Sequence, residues 1–466
     1  MWKLFIRVFN IMNKKYWGSV FVVMSLTSMI QFEVSAQENN KTVNNGFDLT
    51  PAYSQTFREN VGLAVEEHPR IAAAIASRDE QKYQQAEARA GLYPQLEVGV
   101  SGRHRIADNF EDRFDNITQR SLRDTSANVS LTGRQLLYDG GSTSSKIASA
   151  RHAFTAAHEE YSFEASAVAL AAVEAHYYVL FERMRRAFHQ NNVSRHREIL
   201  EMVNARFESG RGPNRDVTLM ESRLAIAETE QSRAQMDLEE AISHYVEVYN
   251  FAPENLKRPE MALNIPTTEL EALEIGFQFN PLLVVASSQS LSSKEYMNSV
   301  RAERMPNLSV ELAATKYDLE RGNPDYDVTG RLVVNYSLFN GGARSARISR
   351  SLRGYERTRH AEDNVNREVN REIKVAFQNV ESYGRQVLSL EKAKNASGVN
   401  RDQTREQFEA TGGSLFNLLE AEKEHHNAKE QHLLGVVESD LAQFRLLDSM
   451  GTLLPALNIV LKKDSE

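Results

Sequence analysis

The chain has 466 residues, with 55 Lys+Arg against 63 Asp+Glu and a formal net charge of -8. That balance leaves no basic footprint for nucleic acid. Cysteine is absent, which excludes a disulfide framework, a thiolate metal site and a cysteine nucleophile.

Residues 1–36 read as an export signal. Lys14 and Lys15 are a positive n-region, Tyr16 to Ile30 is mainly apolar, and Val34-Ser35-Ala36 is a small-residue cleavage site. Lys3 and Arg7 lengthen the n-region, and Met12 is an alternative start. No cysteine follows the cleavage site, so the processed N-terminus offers no thiol for a lipid. A polar segment, 37–54, comes next. No later segment reaches the roughly 20 apolar residues that a spanning helix needs. The exported chain is therefore either soluble or enters a membrane as a β-barrel.

From residue 55 the parts recur in order. The first repeat, 55–250, reads as helix 55–90, hairpin 94–138, long helix 142–208, tip 209–215 and helix 216–250. A linker, 251–268, leads to the second repeat, 269–450. It reads as helix 269–303, hairpin 306–339, long helix 343–410, tip 411–414 and helix 415–450. Residues 451–466 are a C-terminal segment. The duplication shows in His68-Pro69 and Tyr93-Pro94 against Asn280-Pro281 and Met305-Pro306. It shows again in Gly140-Gly141 against Gly341-Gly342, and in ARFESGRGPNRDV (205–217) against EQFEATGGSLFNL (406–418). The first repeat is longer by an insertion placed at 108–124, which is polar and reads as a loop.

Both hairpins alternate with period two. Leu96, Val98, Val100, Val129, Leu131, Leu308, Val310, Leu332 and Val334 form the apolar set. Glu97, Ser130, Ser309 and Asn335 belong to the polar one. Each stretch has about the 9–11 residues of a tilted membrane strand, with Tyr93, Tyr138, Tyr317 and Phe339 at interface positions. An ordinary antiparallel sheet on a core would read the same way. The helices decide between them. Residues 142–209 hold no Gly or Pro, and 142–175 hold eleven alanines. Ile147, Phe154, Tyr161, Val168 and Ala175 recur every seven residues, the spacing of a supercoil stripe. At 1.5 Å per residue such a helix is a rod of roughly 100 Å, too long for a globular domain. The shorter helices are expected to stack end to end, 216–250 with 269–303 and 415–450 with 55–90, each pair matching one rod.

The glycine pairs permit a sharp turn from strand to rod that a Cβ would obstruct, with Ser142 or Thr143 as the expected helix cap. Four strands cannot close a barrel, and an open edge in lipid leaves backbone groups unpaired. Three copies would give twelve strands. The fold class expected is thus mainly α with membrane β-strands: a trimeric 12-stranded β-barrel continued by an α-helical barrel.

This layout resembles the TolC family of bacterial outer-membrane channels. The resemblance rests on GLYPQLEVGV (91–100), LLYDGG (136–141), ARFESGRGPNRDV, RMPNLSVEL (304–312), SLFNGG (337–342) and ATGGSLFNLLEAE (410–422), in that order and spacing. It implies a homotrimer that crosses the outer-membrane lipid and extends into the periplasm. There its tips meet a periplasmic adaptor (membrane fusion protein) linked to an inner-membrane ABC or RND transporter. It implies a passive exit duct, and the LYDGG wording is more like the type I protein secretion branch than the multidrug efflux branch. It makes Gly210, Arg211, Gly212, Pro213 and Thr411, Gly412, Gly413, Ser414 the adaptor-contact tips. It also implies a narrowed pore tip, which the matched positions assign to Asp216, Asn417 and Glu420. Asn417 and Glu420 share a helix face; threefold symmetry would make Glu420 a ring that favours cations. The plainer reading is that Asp216 and Glu420 are helix-start acids. Phe408 has no hydroxyl and Gly413 no side-chain donor, so packing is expected to hold the tip shut.

No enzyme constellation is present. Twelve histidines are scattered, and His425, His426 and His432 read as a solvated helix face because metal-ligand spacing is missing. Gly341-Gly342-Ala343-Arg344 lacks the Walker lysine pattern, and no cofactor is implied. Arg344, Arg347 and Arg350 form a basic stripe suited to anionic headgroups or to solvent. A pore-free periplasmic coiled coil and a pump adaptor are the alternatives, and neither accounts for four membrane-length strands.

Overall fold

The computed structural model describes residues 52–53, 55–107, 124–260, 263–319 and 325–461. The expected signal and most of the expected insertion, 108–123, lie outside the described residues.

A short strand β1 (Ala52–Tyr53) precedes helices α1 (Gln55–Glu67) and α2 (Pro69–Ala90). Strands β2 (Gln95–His104) and β3 (Thr125–Tyr138) lead to α3 (Ser142–Glu208) and α4 (Asn214–Tyr249). The second half begins with β4 (Pro259–Glu260), α5 (Glu269–Phe279) and α6 (Pro281–Ala302). It continues with β5 (Asn307–Lys316), β6 (Tyr326–Asn335), α7 (Ala343–Thr411), α8 (Leu415–Ser449) and α9 (Leu453–Ala456). None of the described helices is long and apolar enough to cross a membrane.

The helices expected over 55–90 and 269–303 are each two helices. Pro69 and Pro281 occupy first helical positions, where a missing N–H costs nothing. The residue before each is the cap. His68 accepts from the Arg70 amide at 3.2 Å, and Asn280 from the Leu282 amide at 2.9 Å.

Helix α3 runs through the middle of the protomer. It packs on α4 near the tips, on α2 nearer the sheet, and on α8 and α6, which fill the space between α3 and α7. The stacking differs from expectation. Asn280 Nδ2 donates to the Ser449 carbonyl at 2.8 Å, so α8 continues into α6. Phe57 and Val61 of α1 pack with Leu238 and Tyr245 of α4, which puts α1 and α2 above α4. The columns are therefore 415–449 with 281–302, and 214–249 with 55–90. The linker after α4 is long enough to exchange them by crossing α3. Along the way Arg183 donates to the Pro253 carbonyl at 2.7 Å, and the His176 ring meets the Lys257 carbonyl at 2.9 Å. Arg258 then pairs with Asp440 of α8 through bonds of 2.6 and 2.8 Å. The largest core lies at this level, around Val168, Val173, Tyr177, Tyr249, Ile373 and Phe444.

Candidate functional site

The four long strands form one antiparallel sheet in the order β2-β3-β5-β6, which leaves β2 and β6 as edges. Directly opposed residues share a face. Val98 opposes Leu131 and Val100 opposes Val129. Gln135 opposes Val310, which in turn opposes Leu332, and Leu308 opposes Val334. All nine residues of the apolar set lie on one face, and Leu96, Val98, Val100, Leu332 and Val334 are exposed on it. The other face carries Glu97, Thr132, Arg134, Glu311 and Arg331. Two members of this face depart from the open, water-facing character expected of it. Ser309 is buried, and so is Glu311, which Arg134 and Arg331 cover with ion pairs from either neighbouring strand. A buried carboxylate on a mid-sheet position requires such partners, and the second arginine comes from the other side of β5. Tyr93, Tyr138, Tyr317 and Phe339 are all exposed.

At the sheet-to-helix turns Gly140, Gly141, Gly341 and Gly342 have φ of 69°, 88°, 64° and 85°, a region costly for a residue with a Cβ. The expected caps Ser142 and Thr143 do not cap. Asp139 does: its Oδ1 accepts from the Gly141 amide at 3.0 Å and its Oδ2 from the Thr143 amide at 2.7 Å. A carboxylate also suits the positive end of the macrodipole. Asn340 takes the same place in the second repeat, accepting from the Arg344 amide at 3.3 Å. Of the basic stripe, Arg344 donates to the Ser337 carbonyl and Arg347 pairs with Glu303. Arg350 is exposed.

The first tip is a Schellman turn. Gly210, with φ 73°, donates to the Phe207 carbonyl, and Arg211 donates to the Arg206 carbonyl, both at 2.9 Å. Arg211 and Pro213 are exposed, Pro213 is the N-cap of α4, and Gly212 lies against Arg206. The second tip turns at Gly412, also with φ 73°, after Thr411 ends α7; Gly413 lies against Gln407, and Ser414 is the N-cap of α8. Between the tips is a small core of Ile199, Val203, Met220, Phe408, Leu415, Leu418 and Leu419. Arg206 lies over the Phe408 ring, 3.9 Å from its centroid, and donates to the Phe408 carbonyl. Packing and two arginines, Arg206 and also Arg405, which pairs with Glu198 at 3.1 Å, thus join the two hairpins within a protomer. Sequence reasoning missed Arg206, although it directly precedes the matched Phe207. The expected pore residues are not gathered. Asp216 is half-buried in the first turn of α4 beside Arg215, at 3.6 Å. Asn417 and Glu420 are exposed on α8, and Glu420 lines a cleft that also holds Arg223 and Lys423. Among the described residues no hydrogen bond joins Asp216 to Asn417 or Glu420.

Further up the α3–α8 interface the solvated face expected for the histidines of α8 is largely absent. His432 is buried, and His425 and His426 are half-buried. The ring of His426 lies 4.8 Å from that of His189, which α3 contributes. Burial pushes His426 down to about 4, with His189 and Lys429 adding to the effect, and burial pushes His189 down as well. Beside them Arg185 bonds Glu182, Asp237 and Glu430. The only local sequence signal was His426 and Glu430, one helical turn apart. His189 is far away in the chain.

An open sheet with one apolar face thus stands at the end of two helices of 67 and 69 residues. The chain belongs to the outer membrane efflux protein family, whose profile matches residues 60–243 and 277–452. The outer membrane efflux protein BepC of Brucella suis biovar 1 (strain 1330) is 24% identical over 284 residues, 60% of this chain and 59% of that protein. The proteases secretion protein PrtF of Dickeya chrysanthemi is 24% identical over 400 residues, 79% of this chain and 82% of that one. Among solved structures, a membrane protein from Pseudomonas aeruginosa superposes with a TM-score of 0.77 at 15% identity, covering 86% of this chain and 91% of its own. The Campylobacter jejuni CmeC outer membrane channel superposes with 0.74 at 13% identity, covering 86% of each chain.

Proposed function

We propose that three copies of this chain form the outer-membrane exit duct of a tripartite export machine, most directly one for type I protein secretion. The observation that carries the proposal is the sheet, whose apolar face is exposed and whose two edges are free. Strands β2 and β6 run in opposite directions, so β6 of one copy can pair with β2 of the next and keep every neighbour antiparallel. Three copies then give twelve strands with no edge left in lipid. The polar face, with Arg134, Glu311 and Arg331, lines the water-filled lumen. The long helices continue the wall into the periplasm as a helical barrel.

The tips are the docking site for the periplasmic adaptor, which connects the duct to an inner-membrane ABC or RND transporter that supplies the energy. Gly210 to Pro213 and Thr411 to Ser414 provide the turns for that contact. The name of the Dickeya relative supports the secretion reading, and the name of the Brucella relative supports efflux as the second reading. Heat-modifiable trimers in the outer-membrane fraction are expected, and recovery of the chain in the soluble periplasm would sink the duct. Deleting the gene should trap a large protein cargo inside the cell; drug sensitivity with normal secretion would favour efflux.

Glu420 belongs to this reading as a ring of three carboxylates near the tip. Arg223 and Lys423 in the same cleft dilute its charge. Glu420→Ala in a planar bilayer should therefore weaken cation selectivity only modestly, while unchanged selectivity and unchanged block by multivalent cations would remove Glu420 from the pore.

A further inference from the structure

We propose that His189, His426 and Glu430 form a binding site for a borderline divalent transition-metal ion of the Zn2+ class, clamping α3 of the first repeat to α8 of the second.

One ligating atom from each residue lies within 4.8 Å of the others. In a tetrahedral site with bonds of about 2.0–2.2 Å the ligand atoms sit about 3.3–3.5 Å apart. The widest separation must therefore close by about 1–1.5 Å to complete the set. The imidazoles meet at 66° rather than stacking, so their ring edges can converge on one point. His426 and Glu430 are one turn apart on α8 and present to the same side.

The polar accounting singles out the same atoms. His189 is 6% exposed, yet neither Nδ1 nor Nε2 has a hydrogen-bond partner, and Nε2 of His426 also has none. A buried polar atom without a partner is costly; each neutral imidazole has one lone-pair nitrogen, so an ion would take one nitrogen from each ring. Both rings are held in the uncharged form by burial, which is the form that binds metal.

Charge and support fit a cation. Arg185 Nε holds Glu430 Oε1 at 2.8 Å, which orients the carboxylate and leaves Oε2 to coordinate. Glu182 and Asp237 bind the same guanidinium, so three carboxylates surround one arginine; the other cations nearby are Lys429 and, in the same cleft, Arg223 and Lys423. Glu422, buried with its Oε1 unpartnered, adds a further negative charge one turn from His426. Two nitrogens and one oxygen suit Zn2+ rather than Mg2+ or Ca2+, which take oxygen donors. All three ligands line one cleft of about 280 Å³, which gives the ion a way in and a water for the fourth position.

The test uses the untagged full chain purified from outer membranes in detergent, stripped with chelator and then exposed to Zn2+. About one Zn2+ per chain should remain after gel filtration, with Mg2+ unable to displace it. Co2+ should give the visible absorption of a tetrahedral site. His189→Asn and His426→Asn should abolish both signals, and Glu430→Gln, which keeps a bond to Arg185, should weaken binding at least about tenfold. Zn2+ should also slow hydrogen exchange in residues 185–193 and 422–430 of the unmutated chain alone. Absence of retained Zn2+, or retention undiminished in all three variants, would overturn the site.

Discussion

Helices α3 and α7 begin at matched glycine caps, Gly141 and Gly342, and have nearly equal lengths, yet they live in different surroundings. Helix α3 buries 23 residues and α7 buries seven among its described side chains. Counting from the caps, Val168 matches Val369, Ala172 matches Ile373 and His176 matches Phe377, and all six are buried. This stripe is the shared inheritance of the two repeats. The next face separates them. Ala165, Ala169, Val173 and Tyr177 of α3 are buried, whereas their counterparts on α7 are Asn366, Asn370, Lys374 and Gln378, none of them buried. A helix in mid-wall needs apolar groups on two sides. One at the rim needs them on one side only, and its other side is free to meet water or a neighbouring copy.

The sharpest test exchanges the residues that differ. Val173→Lys gives α3 the residue that α7 carries at the matched position. A lysine buried there without a partner should cost several kcal/mol, a large part of total stability, and prevent assembly. Lys374→Val should stay within about 0.5 kcal/mol in the protomer. Urea titration of the detergent-solubilised chain separates the two, and equal effects would erase the distinction between mid-wall and rim.

The matched phenylalanines at the tips come next. Phe408 is 3% exposed beneath Arg206, while Phe207 is 44% exposed. Phe408→Ala should cost about 3–5 kcal/mol of local stability, and hydrogen exchange at residues 199–203 and 415–419 should accelerate. Phe207→Ala should leave that exchange unchanged; the opposite ranking would reverse the burial read here.

The hairpins are where the two repeats should agree. Val98→Arg in the first and Val310→Arg in the second should each cost about 2–4 kcal/mol if both face the bilayer midplane. Glu97→Arg should be tolerated. Trimer yield in outer-membrane fractions measures all three, and damage confined to one hairpin would break the equivalence.

The smallest effect is a pH slope. Burial holds His176 at about 4, against an ordinary 6.5, despite its bond to the Lys257 carbonyl. The unfolded chain therefore binds the extra proton between pH 6.5 and 4. The stability that neutral His176 contributes is whole above 6.5 and is lost as pH falls to about 4, at most about 3 kcal/mol. His176→Phe, the residue α7 has, should flatten melting temperature across that window relative to the unmutated chain. Parallel pH profiles would show that His176 titrates normally.

Local signals in the sequence were legible. Period two in the strands, glycine pairs with positive φ and long runs without proline are each set by neighbours a few residues away. The caps were not: Ser142 and Thr143 are the expected ones, whereas Asp139 and Asn340, just before the glycine pairs, accept from the helix amides. Pro69 and Pro281 likewise start helices where one continuous helix is expected. What could not be read is what distant segments decide. The column of α8 on α6 depends on which way the linker crosses α3, and no periodicity records that. His189 and His426 meet only because α3 and α8 lie side by side. Glu311 alternates correctly with its neighbours, and nothing in that alternation says that two arginines will close over it.

The central pairing of the sheet has a kinetic consequence. Strand β3 finds its partner in β5, with Val129 opposite Lys316 and Tyr138 opposite Leu308, so the join between the hairpins closes a loop longer than most whole domains. Such contacts form late, because their loop entropy is met before any bond rewards it. During synthesis the β2–β3 hairpin emerges with its apolar face and both edges bare, long before its partners exist. An unshielded strand edge is a template for the wrong neighbour. The edges that would close the ring in the proposed trimer are thus bare on the newborn chain until its second half arrives.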